Sequence, residues 1–400
     1  MMLLFVSAQS IGQTPGCTDS QANNYNPSAL QNDGTCTYDA TTLSPIGSYN
    51  LSSNLTETSG LIYWNNQIWT HNDNDDINLY ALDTLAGELQ STISLTGTLN
   101  QDWEEISQDE NYLYVGDFGN NSTGNRTNLH ILRIEKNSVL ANSPIIDTIF
   151  FNYSNQTDFT ATSSNNTDFD CEAFIATADS IYLFTKQWVS NKTNIYSLPK
   201  SPGNYVANLS ATHDVQGLIT GAVYLADQRI IVLSGYNNVL QPFLYLLFDF
   251  QSSHFFEGNK RKINLQLSFH QIEGIASAGN GLKYYASNEY FTQAPFVTVP
   301  QKLHIIDLST VLGQFLNPLA TNIKPINSIQ RIRYNQADES IEGEFNQRVN
   351  YKVQNLQGQI LLNNTFISGK STLNVSNLLA GIYFITTNES SVCSFKFMKN

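Results

Sequence analysis

A short pattern recurs five times along this 400-residue chain: Thr58-Ser59-Gly60-Leu61, Trp103-Glu104-Glu105-Ile106, Cys171-Glu172-Ala173-Phe174, Ile219-Thr220-Gly221-Ala222 and Ile272-Glu273-Gly274-Ile275. The copies lie 45 to 68 residues apart, the size of a four-stranded blade in a radial β-repeat. A β-rich run begins ten or eleven residues after each copy starts (at Ile68, Leu113, Ile181, Ile230 and Lys283), and a second echo follows that, as in Leu79-Tyr80-Ala81-Leu82. Outer strands are predicted at Leu89–Leu95, Ile145–Tyr153, Val206–Thr212 and Lys262–Leu267. Only four such strands lie between the repeats. The fifth is predicted at Ile46–Leu51, ahead of the first copy, where it would complete the last blade and close the ring. Closure removes open sheet edges. The expected fold is therefore an all-β, five-bladed β-propeller, with a sixth, degenerate blade as the alternative.

Charged residues make up only 14% of the chain, against a usual quarter. Asn, Ser and Thr stand in their place, which suits short strands joined by polar turns. A formal charge of −14 with no basic stripe excludes nucleic acid as a partner. Of four cysteines, Cys17 and Cys36 bracket an Asn/Asp-rich loop and are read as a disulfide formed in an oxidising compartment. Cys171 and Cys393 are read as packed free thiols. Residues 1–10 read as the end of a secretory signal, with an apolar run and a cleavage site after Ala8. Nothing else approaches a membrane span. The expected organisation is a partial signal peptide at 1–10, a Cys-bounded module at 11–42, the propeller at 43–325 and a separate all-β tail at 327–400.

Topology predicts where function lies. Each repeat motif opens the inner strand of a blade, and the second strand returns to the same face, so motif starts and second-strand ends converge at one mouth of the channel. The central motif position reads Ser59, Glu104, Glu172, Thr220 and Glu273, with Asp102 and Asp170 two residues before two of the glutamates. The second-strand ends bring His71, Asn72, Asp73, Asp117, Lys186, Tyr236 and Asn288, the candidate ligand-binding residues. Carboxylates this close raise one another's pKa or recruit a cation. Hard oxygen ligands suit calcium, with Glu104, Glu172, Glu273, Asp102 and Asp170 as the expected metal ligands. The alternative is structural, each polar group hydrogen-bonding the neighbouring blade's backbone. Trp69, Trp103 and Trp188 are read as a sugar-stacking platform or as packing between blades. No H-E-x-x-H, G-x-S-x-G or phosphate-cradling glycine loop occurs, which disfavours nucleophilic acyl transfer.

Trp69-Thr70-His71-Asn72-Asp73, Asp102-Trp103-Glu104-Glu105-Ile106 and Tyr114-Val115-Gly116-Asp117-Phe118-Gly119-Asn120-Asn121 resemble the signature strings of a group of secreted bacterial propellers. Glu105 stands where that group commonly has Asp. More distantly the propeller resembles esterase-like phytases and calcium-dependent lactonases, which implies calcium at the channel. The tail, with its Asn355-Leu356-Gln357-Gly358 turn, its Leu378-Leu379-Ala380-Gly381-Ile382-Tyr383 strand and Lys396 to Lys399, resembles the C-terminal sorting domain of type IX secretion in Bacteroidetes. That resemblance implies an immunoglobulin-like β-sandwich, engagement of the type IX machinery, and an extracellular or outer-membrane-surface location. The Cys17 to Tyr38 segment resembles a short module found in proteins of the same bacteria. Two functions are expected of such a chain, which is read as a monomer. One is a binder of a glycan or small molecule at the channel mouth. The other is a calcium-dependent hydrolase of a phosphoester, lactone or glycoside, with Glu104, Glu172 and Glu273 catalytic.

Overall fold

A computed structural model describes residues 14–316, 333–336, 338–345, 348–355, 358–388 and 393–399. The signal-like segment 1–10 lies outside the described residues, as does the Cys393 side chain. The chain divides into two compact units, Met1–Asn317 and Pro318–Asn400.

In the first unit the inner strands are Thr58–Trp64, Trp103–Gln108, Asp170–Ala176, Leu218–Leu225 and Ile272–Ser277. They adjoin one another in chain order, and the fifth adjoins the first, so the ring closes on five blades. Each blade is antiparallel from its inner strand outward, and tight turns hold the pairs: Asn65 and Asn66 both take positive φ between the first two strands of blade 1, the geometry a two-residue hairpin needs. Leu, Ile and Phe side chains from facing sheets fill the space between blades, as with Ile175, Phe184, Ile219, Ile231 and Leu233 between blades 3 and 4. Each such side chain contributes about 1.5–3 kcal/mol by burial.

Closure comes from the N-terminal side, as the strand count predicts. Gly47–Asn50 pairs antiparallel with the third strand of blade 5, Lys302–Asp307, as its outer strand. Just before it, Thr41–Leu43 runs parallel to the outer strand of blade 4, Asn259–Leu265. The segment therefore ties two blades before the first inner strand begins. The outer strands of blades 2 and 3, Ile146–Tyr153 and Gly203–His213, also pair in parallel and fuse those blades into one eight-stranded sheet.

The Cys17–Cys36 disulfide is formed. Its loop docks on blade 4: Asn32 donates to Asp249 at 3.0 Å and to Asn259 at 2.9 Å, and Arg261 stacks 4.8 Å from the Tyr38 ring. Cys171 is a buried free thiol. The second unit is a sandwich. Three strands (Arg333–Asn335, Ser340–Phe345, Gly369–Asn374) and four (Ile360–Phe366, Val349–Asn355, Gly381–Asn388, Cys393–Lys399) share a core that includes Ile341, Val353, Phe366, Tyr383 and Phe397.

Candidate functional site

The repeated motif is a β-bulge. In blades 2 to 5 the register between the first two strands skips one residue, and that residue is Glu104, Glu172, Thr220 or Glu273. In blade 1 the slip falls one place later, across Gly60, which takes φ +59°. A bulge re-aims a side chain out of the ladder, so one position in each blade can face the channel or the next blade.

The five residues then take different paths. Ser59 donates to the backbone oxygen of Glu104 in the next blade, and Thr220 to that of Ile272. These two follow the structural alternative. The three glutamates meet instead at a cavity of about 170 Å³ whose lining includes Asp73, Glu104, Glu172, Lys186, Glu273 and Glu289. Five carboxylates thus face one ammonium. Lys186 hydrogen-bonds Glu172, and its Nζ sits 4.6 Å from the centre of the Trp188 ring and 5.0 Å from that of Tyr236. Burial opposes its charge, but Glu172, Glu273 and Asp170 outweigh that and hold the ammonium well above its ordinary range.

The carboxylates are pushed the other way. Burial first, then repulsion from Glu172, Asp73, Asp102 and Asp170, raises Glu104 well above the carboxylate range. Burial, then Asp102, Glu289 and Glu273, raise Asp73, and burial, then Glu273 and Glu57, bring Glu289 to about 8 despite Lys186. Burial and Asp170 lift Asp102 to about 6, although Arg126 lies 3.8 Å away. One oxygen each of Asp73, Asp102 and Glu104 lie within 4.8 Å of one another, and so do those of Glu104, Asp170 and Glu172. Gly119 makes this crowding feasible, because a Cβ there would stand 2.2 Å from a Glu104 oxygen and 2.3 Å from an Asp102 oxygen. Glu273 belongs to neither triad, yet its Oε2 is buried without a hydrogen-bond partner. An all-oxygen donor set with one unanswered buried oxygen fits a hard divalent cation.

Four of the candidate ligand-binding residues stand in the framework instead. His71 is fully buried edge-on to Trp103 at 5.8 Å, and burial lowers its pKa to about 4, so it is neutral. Asn72 donates to the Asn54 carbonyl and to Asp76. Asp117 pairs with Arg126 at 2.6 Å. Asn288 donates to the Pro300 carbonyl and pairs with His304. Of the expected metal ligands, Asp170 already accepts from the Asn120 and Cys171 amides and from Trp188 Nε1. Trp69 packs on Trp64 and Trp103 on His71, so of the three tryptophans Trp188 alone lines the cavity. In blades 1 and 5 the residue at the cavity is one place beyond the strand end, Asp73 and Glu289; the alternation pattern does not reveal where each strand stops. Glu105 was unanticipated as a structural element. It accepts from its neighbour Ile106 at 2.9 Å and across the channel from Ala222 at 2.7 Å. The matching positions of the other copies read Gly60, Ala173, Gly221 and Gly274; this small-residue ring, with Glu in one place, was the available signal.

Residues 325–399 match the family of secretion system C-terminal sorting domains. The chain therefore carries a type IX sorting tail and is a secreted or cell-surface protein. Among the described residues no helix is long and apolar enough to cross a membrane. No curated protein matches the chain. Among solved structures it is similar to PorZ, a bacterial surface component of the type IX secretion system of Porphyromonas gingivalis, at 10% identity and TM-score 0.33, covering 86% of this chain and 45% of that one. It is also similar to the glutaminyl cyclase of Myxococcus xanthus, at 11% identity and TM-score 0.41, covering 67% of this chain and 99% of that one. Likenesses this distant carry no activity across.

Proposed function

We propose that this exported propeller holds a calcium-class divalent cation at its channel mouth and, with it, binds an extracellular glycan or small molecule. The carrying observation is the charge balance: five carboxylates and one lysine line a single cavity, and two of those carboxylates, Asp73 and Glu104, have oxygens within 4.8 Å of each other and of an Asp102 oxygen. A divalent ion would let these groups ionise together and would satisfy the buried Glu273 oxygen. Asn121, Asn165 and Gln271 on the same lining offer amide hydrogen bonds to ligand hydroxyls. Calorimetric titration of the full chain with calcium, with a thermal melt on the same samples, tests the reading. Saturable binding that raises the melting temperature, and that Glu104→Gln abolishes, is expected. A melt indifferent to both calcium and chelator would remove the cation from the function.

A further inference from the structure

Two carboxylate triads share Glu104, but their surroundings are unlike. In the Glu104, Asp170 and Glu172 triad one member, Glu172, already has a cation beside it. Lys186 is 3% exposed, hydrogen-bonds Glu172, and is enclosed by the faces of Trp188 and Tyr236. Its ammonium cannot leave without losing both aromatic contacts and stranding a buried carboxylate. The Asp73, Asp102 and Glu104 triad has no such partner. The nearest guanidinium, Arg126, is committed to Asp117 at 2.6 Å and to the Gly119 carbonyl at 2.7 Å, and comes no nearer than 3.8 Å to Asp102. Beside both stands Glu273, 7% exposed, lining the same cavity with Oε2 unpartnered. That buried oxygen lies outside both triads and gives the same cavity a further acceptor that a cation can answer.

We propose that the mouth is a two-cation centre in which the protein supplies one cation itself: Lys186 is a tethered occupant of the Glu104, Asp170 and Glu172 triad, and the exchangeable ion takes Asp73, Asp102 and Glu104. This rests on the cation reading above and adds the regulation of that site. Glu104 serves both positions, so the lysine charge competes for it and sets how tightly the exchangeable ion binds. Two positive centres sharing one carboxylate interact strongly at low local dielectric. Lys186 is thus a positioning residue that acts on the ion through Glu104.

Calcium alone is the probe, titrated into the full chain by calorimetry. The wild type is expected to bind one ion. Lys186→Met is expected to bind two, or one at least tenfold more tightly, while Lys186→Arg, which keeps the charge, retains a single ion of wild-type affinity. Glu172→Gln works in the opposite sense, because it frees the ammonium toward Glu104; calcium should bind at least tenfold more weakly although Glu172 is no ligand of the exchangeable ion. This second variant keeps the test valid if Lys186→Met does not fold. One ion in the wild type, with Lys186→Met and Glu172→Gln both within twofold of it, overturns the tethered cation and leaves the cation reading standing. No ion in wild type but one in Lys186→Met supports the tether and overturns the functional reading. No ion in any variant overturns both.

Discussion

Glu104 and Glu105 are consecutive, both buried, and surrounded in opposite ways. At the floor of the channel, Glu105 accepts backbone amides from blades 2 and 4. Its pKa stands well above the carboxylate range because burial dominates, with the amides of Ala222, Ile106 and Leu61 acting against it. At the mouth, Glu104 is pressed by burial and by four other carboxylates. The bulge separates the two: the strand register skips Glu104 and keeps Glu105 opposite Gly116. Burial alone therefore does not distinguish a structural carboxylate from a ligand-seeking one. The count of donors around it does.

The largest way to break that comparison is at the floor. Glu105→Ala strands the Ala222 and Ile106 amides in a buried channel and opens a void. A loss of roughly 3 kcal/mol is expected, read by denaturant unfolding, and saturating calcium should not restore it. If calcium does restore it, the floor and the mouth are one site. At the mouth the order reverses. Glu104→Gln removes one carboxyl from a set whose members oppose one another's ionisation, so the cation-free melting temperature should hold or rise while calcium affinity falls at least a hundredfold, about 2.7 kcal/mol. Equal affinity in calorimetry would return Glu104 to the structural class of Ser59 and Thr220.

Acidity sharpens the comparison without mutation. Glu289 at about 8 and Asp102 at about 6 have folded values raised above their unfolded ones. Between those values the folded state holds more protons, so this stability is full below the unfolded pKa and is lost as pH rises toward 8. His71 at about 4 and His304 at about 3 have folded values below the unfolded 6.5; for these neutral, buried bases, stability is present above 6.5 and is lost as pH falls. Cation-free protein should therefore be most stable in mildly acidic solution and lose on the order of 2 kcal/mol toward pH 8, since coupled carboxylates express only part of each change. Calcium should flatten the part of the alkaline side that Asp102 contributes, up to about pH 6, and leave the acid side unmoved. A melt profile equally steep on the alkaline side with calcium would show that the mouth carboxylates are not its ligands.

Much of the architecture was legible because a propeller repeats its constraints. Five copies of the motif set five blades, and the shortage of one outer strand pointed to Ile46–Leu51 as the closing strand, which the structure forms as Gly47–Asn50. The mouth was legible as a place and less so in its members. His71, Asn72, Asp117 and Asn288 are polar and fall at the ends of second strands, but such a side chain turns toward the channel or the next blade by one residue's difference in strand length. Lys186 and Tyr236 turned inward; Asp73 and Glu289 did so only from beyond the strand. The cross-channel reach of Glu105 is a contact 117 residues apart, and no local pattern encodes it, although the glycines at Gly60 and Gly221 that make room for it were in plain view.

Glu273 gives the smallest effect and the finest distinction. Its Oε2 has no partner and it lies outside both triads, while its carboxyl interacts with Glu172 and Gln271, so Glu273→Gln puts a neutral group of the same shape where burial opposes ionisation. Stability should change by no more than about 1 kcal/mol, because the amide keeps the shape and can still hydrogen-bond Glu172 and Gln271. Calcium affinity should fall less than tenfold, because the exchangeable ion keeps Asp73, Asp102 and Glu104. A glycan or small molecule bound through the cation would weaken to the same small degree. A hydrolase using Glu273 as acid or base would instead lose turnover by orders of magnitude with binding nearly intact. Measuring calcium affinity and turnover in a phosphatase, lactonase and glycosidase screen on this one variant therefore separates a binding mouth from a catalytic one. A carboxylate that only helps to hold an ion and one that moves a proton differ most where the fold itself is indifferent to the change.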